Sequence, residues 1–323
     1  MTKRHIGITF LVLTAVGVGI DAAGPTRPAA AAVRPVSHPV RLGVSTSGVT
    51  SGSSSPHPGL ALERYADMVG GMPKIVMWYE TWYGGPLIAT RVMRAVWRHG
   101  AVPMITWMPK TSQSTAASLS GIAAGNYDAF LEQSAAAARA WGHPILLRPF
   151  HEMNGRWTPW AVGEHGNTPS DFVAAWRHIV RVFRSAGATN VRFVFSPNVI
   201  SPNSPDFSPE YPGDRYVDRV ALDGYNFGTS VPGQRWRSFR DVFASSYAVL
   251  AKLSSRPMII AETGCSESGG DKALWITHAF RRGMQGFPRV TAVVWFNHWK
   301  VTSWPVDSSR SSLRAYRAIV KAE

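Results

Sequence analysis

Ile145-Leu146-Leu147-Arg148-Pro149-Phe150-His151-Glu152-Met153-Asn154-Gly155-Arg156-Trp157 is the stretch whose reading decides the fold. Three aliphatic residues run without a break into an arginine, a histidine, a glutamate, an amide and an indole. A buried strand that ends in charged and aromatic groups is the pattern of a parallel barrel, where reactive side chains sit at the C-terminal ends of strands. Glu152 is therefore a candidate acid, base or nucleophile. The run Pro257-Met258-Ile259-Ile260-Ala261-Glu262-Thr263-Gly264 repeats the pattern and closes on a second carboxylate, Glu262.

Working outward, apolar runs rich in β-formers recur at 40–45, 74–79, 102–107, 144–150, 191–196, 217–223, 257–261 and 292–296. Between them, 60–69, 89–98, 127–141, 169–185, 236–253 and 271–283 carry apolar residues at helical spacing. The strand segments are continuous apolar runs rather than alternating ones, as expected when both faces of a sheet are covered. Strands alternating with helices in this number predict an α/β fold, a single-domain (β/α)8 TIM barrel over 41–323. The loops after the strands, such as Glu80-Thr81-Trp82-Tyr83 and Phe296-Asn297-His298-Trp299, are aromatic and polar, which places function at one rim.

Residues 1–32 read as a secretory signal peptide: Lys3, Arg4 and His5 precede the apolar run Ile6 to Ile20, followed by small residues and proline. Cleavage is expected between Ala22 and Val33, with a linker over 33–40 and a secreted, extracellular product. The chain of 323 residues holds one cysteine, Cys265, so no intramolecular disulfide can form, and a packing role is expected for it. Lys and Arg number 34 against 20 Asp and Glu, a formal charge of +14 that favours weak association with an anionic cell wall. The basic residues are scattered along the chain in no long run and with no nucleic-acid motif, so nucleic acid is not an expected partner. A monomer is expected. No His-x-His marks the first strand and no His-Glu-x-x-His occurs, so neither metal nor cofactor is expected.

Alternation along a strand puts Leu146, Arg148, Phe150 and Glu152 on one face, and Met258, Ile260 and Glu262 on another. If those faces line the barrel, both glutamates project across a common cleft. Two carboxyls with separated pKa values are the machinery of glycoside hydrolysis. Arg148 reads as a partner that keeps Glu262 ionised, and Asp223 as a turn-stabilising residue.

The run Arg148 to Trp157, with Trp160 beyond it, resembles the acid/base signature of glycoside hydrolase family 26, whose members are mainly endo-β-mannanases with some mixed-linkage β-glucanases and β-1,3-xylanases. Ala261-Glu262-Thr263-Gly264 is similar to that family's nucleophile strand. Tyr211-Pro212-Gly213-Asp214 followed by Asp223-Gly224-Tyr225-Asn226 is similar to its sixth-strand region. The likeness covers about Leu42 to Arg314. It implies Glu152 as general acid/base, Glu262 as nucleophile, His151 as a sugar ligand beside the acid, Tyr225 as a hydrogen-bond donor to the nucleophile, and Trp295 as the apolar floor under the reacting sugar. Asn154, Trp82, Trp107, Trp157 and Trp160 are the further substrate-binding candidates, since an aromatic face covers the C–H face of a pyranose. After Asn154-Gly155 the sequence Arg156-Trp157-Thr158-Pro159-Trp160-Ala161 is less aromatic than the mannanase pattern and at least as similar to β-glucan-type members. The expected activity is a retaining endo-hydrolase of a β-linked polysaccharide such as mannan or β-glucan. The alternatives are a non-catalytic carbohydrate-binding barrel and a hydrolase of an acidic exopolysaccharide.

Overall fold

The computed structural model describes residues 40–49, 57–87 and 90–323; the expected signal peptide and, but for Val40, the linker lie outside them. The strands are β1 (Arg41–Thr46), β2 (Ile75–Thr81), β3 (Val102–Met108), β4 (Ile145–Pro149), β5 (Val191–Phe195), β6 (Arg219–Asn226), β7 (Met258–Cys265) and β8 (Val290–Asn297). They follow one another in chain order around a closed parallel barrel, with β8 returning to β1 from Arg41↔Ala292 to Thr46↔Asn297. The helices are α1 (Pro58–Val69), α2 (Arg91–Arg98), α3 (Leu119–Ala123), α4 (Asp128–Trp141), α5 (Pro169–Ser185), α6 (Phe239–Leu253), α7 (Lys272–Arg281) and α8 (Arg310–Val320).

The expected (β/α)8 barrel is thus present, with one irregularity. Both α3 and α4 lie between β3 and β4, while the β5–β6 connection carries only short 3-10 turns. Local chemistry sets the helix starts. Ser238 and Asp241 form a reciprocal capping box, satisfying two end N–H groups, so α6 begins at Phe239 rather than at Trp236. Thr168 and Asp171 do the same for α5.

Two cores flank the sheet. Met77, Met104, Leu146, Val194, Ile259 and Ala261 fill the barrel, while Trp78, Ile105, Leu147, Phe193, Ile260 and Trp295 face the helices. On β1 a Cβ at Gly43 would lie 2.9 Å from Val294 Cγ2 and 3.0 Å from Ile75 O, so glycine is what lets the strands close there.

Simple alternation fails in two places, and both carry a glutamate. β4 stops at Pro149, and Phe150 and Glu152 adopt φ of 52° and 54°. The left-handed turn swings Phe150 outward against Phe172 and Trp176, with ring centroids 5.6 and 6.5 Å away, instead of onto the face of Leu146 and Arg148. In β7 the pairing with β6 steps from Ile260↔Leu222 to Glu262↔Asp223 and skips Ala261. Met258 and Ile260 therefore face the helices, and this bulge returns Glu262 to the inside, off the face it was expected to share with them.

Candidate active site

Glu152 sits in the turn after β4, where its backbone N–H donates to Ser196 O at 2.8 Å and ties the turn to the end of β5. A non-glycine residue in the left-handed region costs roughly 1–2 kcal/mol, which is tolerated where the surroundings over-determine the conformation. Asn154 supplies part of that constraint. Its amide donates to Asn198 O at 3.0 Å and Pro205 O at 2.9 Å, and its Oδ1 accepts from Asn198 N at 2.9 Å. Gly155 has a different reason for being glycine: a Cβ there would stand 2.2 Å from the Trp157 ring. That ring lies folded over Gly155 and donates Nε1–H to Glu152 Oε2 at 2.6 Å.

Glu262 is enclosed by donors. Tyr79 OH reaches Oε1 at 2.7 Å, Tyr225 OH reaches Oε2 at 2.5 Å, and Arg148 donates Nη2–H to Oε1. Arg148 is itself fully buried, with Nη1 on both oxygens of Asp223 at 2.9 and 2.7 Å and Nε on Thr106 Oγ1 at 2.9 Å. Asp223 is therefore a buried ion-pair partner within β6, with Ser196 Oγ also donating to it at 3.0 Å, and not the turn residue expected from sequence. One guanidinium serves two carboxylates.

The electrostatic outcome separates the two glutamates. Burial pushes Glu152 up to about 7, and the nearby charge of Glu262 adds to it; the Trp157 hydrogen bond, Arg148 and Lys300 pull the other way. Burial also opposes ionisation of Glu262, but Arg148 and the hydrogen bonds outweigh it and hold the carboxyl down at about 2. One acid is poised to give a proton near neutrality while the other stays charged. Burial and then Arg148 bring His151 down to about 3, so it is neutral at ordinary pH. Its Nδ1 is buried with no hydrogen-bond partner among the described residues, although the ring lines the same cavity. Tyr79 and Tyr225, raised by burial and by Glu262, remain protonated donors.

These groups line a cavity of about 430 Å³ at the C-terminal mouth of the barrel. Of the sequence candidates, Glu152, Glu262, His151, Tyr225 and Trp157 meet there. The others do not. Trp295 is fully buried on the helix side of β8, against Trp275 at 6.0 Å and Tyr316 at 5.6 Å, because alternation along β8 turns it outward. Trp82 and Trp107 pack against each other at a tilt, with centroids 5.1 Å apart, in the outer core beside Phe130. Trp160 is buried and holds the turn by donating to His151 O at 2.8 Å. Asn154 braces the Glu152 turn as described and does not line the cavity. Cys265 is free and buried, as expected of a packing residue.

The place intended for Trp295 is taken by Trp304, which lines the cavity with Phe227 and Phe296 and lies 4.9 Å from the Tyr225 ring. Trp295 contributes from behind by donating Nε1–H to Trp304 O at 2.9 Å. Lys272 completes the support: its buried ammonium donates to Ser303 O, Trp304 O and Pro305 O at 2.6, 3.1 and 2.8 Å, and to Ser308 Oγ at 2.8 Å. Sequence reasoning missed Trp304, which follows no apolar run and carries no strand-end signal. Tyr79 was recoverable, since it shares the inward face of β2 with Met77.

The family model for glycosyl hydrolase family 26 matches residues 89–267. Endoglucanase H of Acetivibrio thermocellus is 39% identical over 266 residues, covering 81% of this chain and 29% of that protein. A mannan endo-1,4-β-mannosidase of Bacillus subtilis is 31% identical over 158 residues, covering 46% of this chain and 38% of that protein. The chain thus spans well under half the length of the relatives it matches. Among solved structures, the catalytic domain of the Bacillus sp. JAMB-750 endo-β-1,4-mannanase superposes with a TM-score of 0.66 at 20% identity over 88% of this chain and 86% of that one. The barrel, the matched span and the strand-end glutamates lead to one placement: this chain belongs to glycosyl hydrolase family 26.

Proposed function

We propose that this protein is a secreted, retaining endo-glycosidase that cleaves a β-linked polysaccharide, with β-glucan ahead of mannan. The observation that carries the reading is the opposed state of two glutamates in one cavity, Glu152 near 7 and Glu262 near 2. In this mechanism the Glu262 carboxylate attacks the anomeric carbon as Glu152 passes its proton to the departing glycosidic oxygen, giving a glycosyl ester and a shortened chain. Glu152, now a carboxylate, takes a proton from water, whose oxygen attacks the same carbon and releases Glu262. Two inversions retain the configuration. Arg148, Tyr79 and Tyr225 hold the nucleophile charged and aimed, Trp304 and Phe296 offer apolar faces to the sugar, and the unpartnered Nδ1 of His151 can meet a hydroxyl.

The preference for glucan rests on the greater span matched by the endoglucanase and on the Arg156-to-Ala161 segment. Export rests on the basic and apolar N-terminal pattern. A second reading, an acidic glycan, is favoured by Arg237 and Lys300 in the cavity wall. Purified protein assayed for reducing ends on mixed-linkage glucan, mannan and a polyuronate separates these readings. The expected result is turnover on glucan, with the product anomer retained by proton NMR. Binding without turnover on every polymer overturns the enzyme reading, and an inverted product overturns the double displacement.

A further inference from the structure

The opposite end of the barrel holds a second and larger cavity, of about 870 Å³. Its walls are the first residues of several strands: Arg41 opens β1, Lys74 immediately precedes β2, Arg192 lies second in β5 and Arg219 opens β6. Leu146 and its neighbours in the barrel form an apolar floor. A single carboxylate, Glu323, lines the same space, and its Oε1 accepts from the backbone of Leu42 at 3.0 Å.

The cations outnumber the acids beside them: Arg41 and Lys74 act on Glu323, and Arg219 has Asp218 nearby. Among the described residues, the side chains of Arg41, Lys74 and Arg219 make no hydrogen bond or ion pair, while Arg192 donates to Thr189 O at 2.8 Å. Asp218, the acid beside Arg219, favours the charged form of that arginine and also accepts from Phe193 N at 2.9 Å. The guanidiniums are close enough for Arg41 and Arg192 to oppose the charge of Arg219, after the effect of burial. Like charges gathered round a concave surface repel one another and raise the local concentration of anions.

We propose that this N-terminal mouth binds phosphate groups, held by Arg41, Lys74, Arg192 and Arg219. Guanidinium forks pair with oxyanions through parallel hydrogen bonds. Donors converging from several strands suit a tetrahedral phosphate, which offers oxygens in more directions than a planar carboxylate. The volume admits more than one phosphate, so the ligand is either a free phosphate compound or consecutive phosphates along an anionic polymer. The latter would tether the barrel by its base and leave the catalytic mouth free.

Isothermal titration of the full-length protein with inorganic phosphate, tripolyphosphate, long-chain polyphosphate and, as a carboxylate control, citrate tests this. Tripolyphosphate should bind at one site and weaken with added salt. The double variant Arg41→Gln/Arg219→Gln should lose affinity by at least about tenfold, as expected for removing charge-assisted contacts. Arg310→Gln, which removes an exposed charge at the start of α8, should not change it. Polyphosphate binding with little affinity for inorganic phosphate identifies a polymer site, and comparable affinity identifies a site for single phosphates. Citrate binding as tightly as tripolyphosphate overturns the phosphate assignment. Equal losses in the double variant and in Arg310→Gln, with unchanged melting temperatures, overturn the site.

Discussion

The two mouths of this barrel differ in how their charges are held. At the C-terminal mouth two carboxylates, Asp223 and Glu262, share one buried guanidinium, and every oxygen of both has a donor. At the N-terminal mouth four cations line a cavity with one carboxylate, Glu323, and three of them make no hydrogen bond or ion pair among the described residues. The first arrangement is pre-organised, because its charges are fixed by strands and by each other. The second is open, its charges left for something else to satisfy. Catalysis needs the former: a carboxylate held ionised in a desolvated site loses little to reorganisation when it attacks. Binding a diffusing anion is served by the latter.

The most severe break in this contrast is the loss of Glu262, the proposed nucleophile. Glu262→Ala should reduce kcat on β-glucan by at least about 10⁴-fold, and azide should restore turnover as a glycosyl azide of inverted configuration, read by NMR. Rescue with retained configuration would remove Glu262 from the nucleophile role. Next in size is a paired substitution, one at each mouth. Arg148→Met leaves Asp223 and Glu262 buried without a counter-charge and should cost about 3–5 kcal/mol of stability, whereas Arg219→Met should stay within about 0.5 kcal/mol. Chemical denaturation of both variants measures the difference; similar losses would erase the distinction between a fixed and an open charge.

Lys272 sharpens the comparison because it is a third kind of cation, buried but satisfied by neutral carbonyls rather than by acids. Burial brings it down to about 8. Lys272→Met should loosen the segment that carries Trp304, raising KM about 5–10-fold with a smaller effect on kcat, since uniform binding is what an aromatic platform supplies. An unchanged KM would detach Trp304 from sugar binding. The smallest effect concerns Trp157. Its indole N–H favours the ionised form of Glu152, so Trp157→Phe should raise that pKa. Activity requires Glu152 protonated and so declines as pH rises through about 7; the variant's alkaline limb should shift to higher pH. A shift to lower pH would contradict the hydrogen bond's role.

Much of this was legible in the chain because it depends on local rules. Continuous apolar runs ending in Glu152 and Glu262 predict parallel strands with functional ends, and neither needs knowledge of distant contacts. The approach to those glutamates was a different matter. Both reach the common cleft as expected, but strict alternation misplaced the residues that lead to them: Phe150, Met258 and Ile260 face the helices, because a left-handed turn and a bulge each reset the period. Trp295 was misplaced for another reason: alternation along β8 turns it outward, and the indole that lines the cavity, Trp304, comes from the loop beyond the strand.

The sequence by itself determined the barrel and singled out the two glutamates of the cavity and the arginine that accompanies them, since strand-forming runs and motif chemistry are written in contiguous residues. Only the tertiary structure decided which aromatic lines the cavity and that basic residues scattered from Arg41 to Arg219 line one mouth. The physical reason is closure. In a closed parallel barrel the opening residues of distant strands meet at one mouth and the closing residues at the other, so groups remote in sequence become a single electrostatic surface.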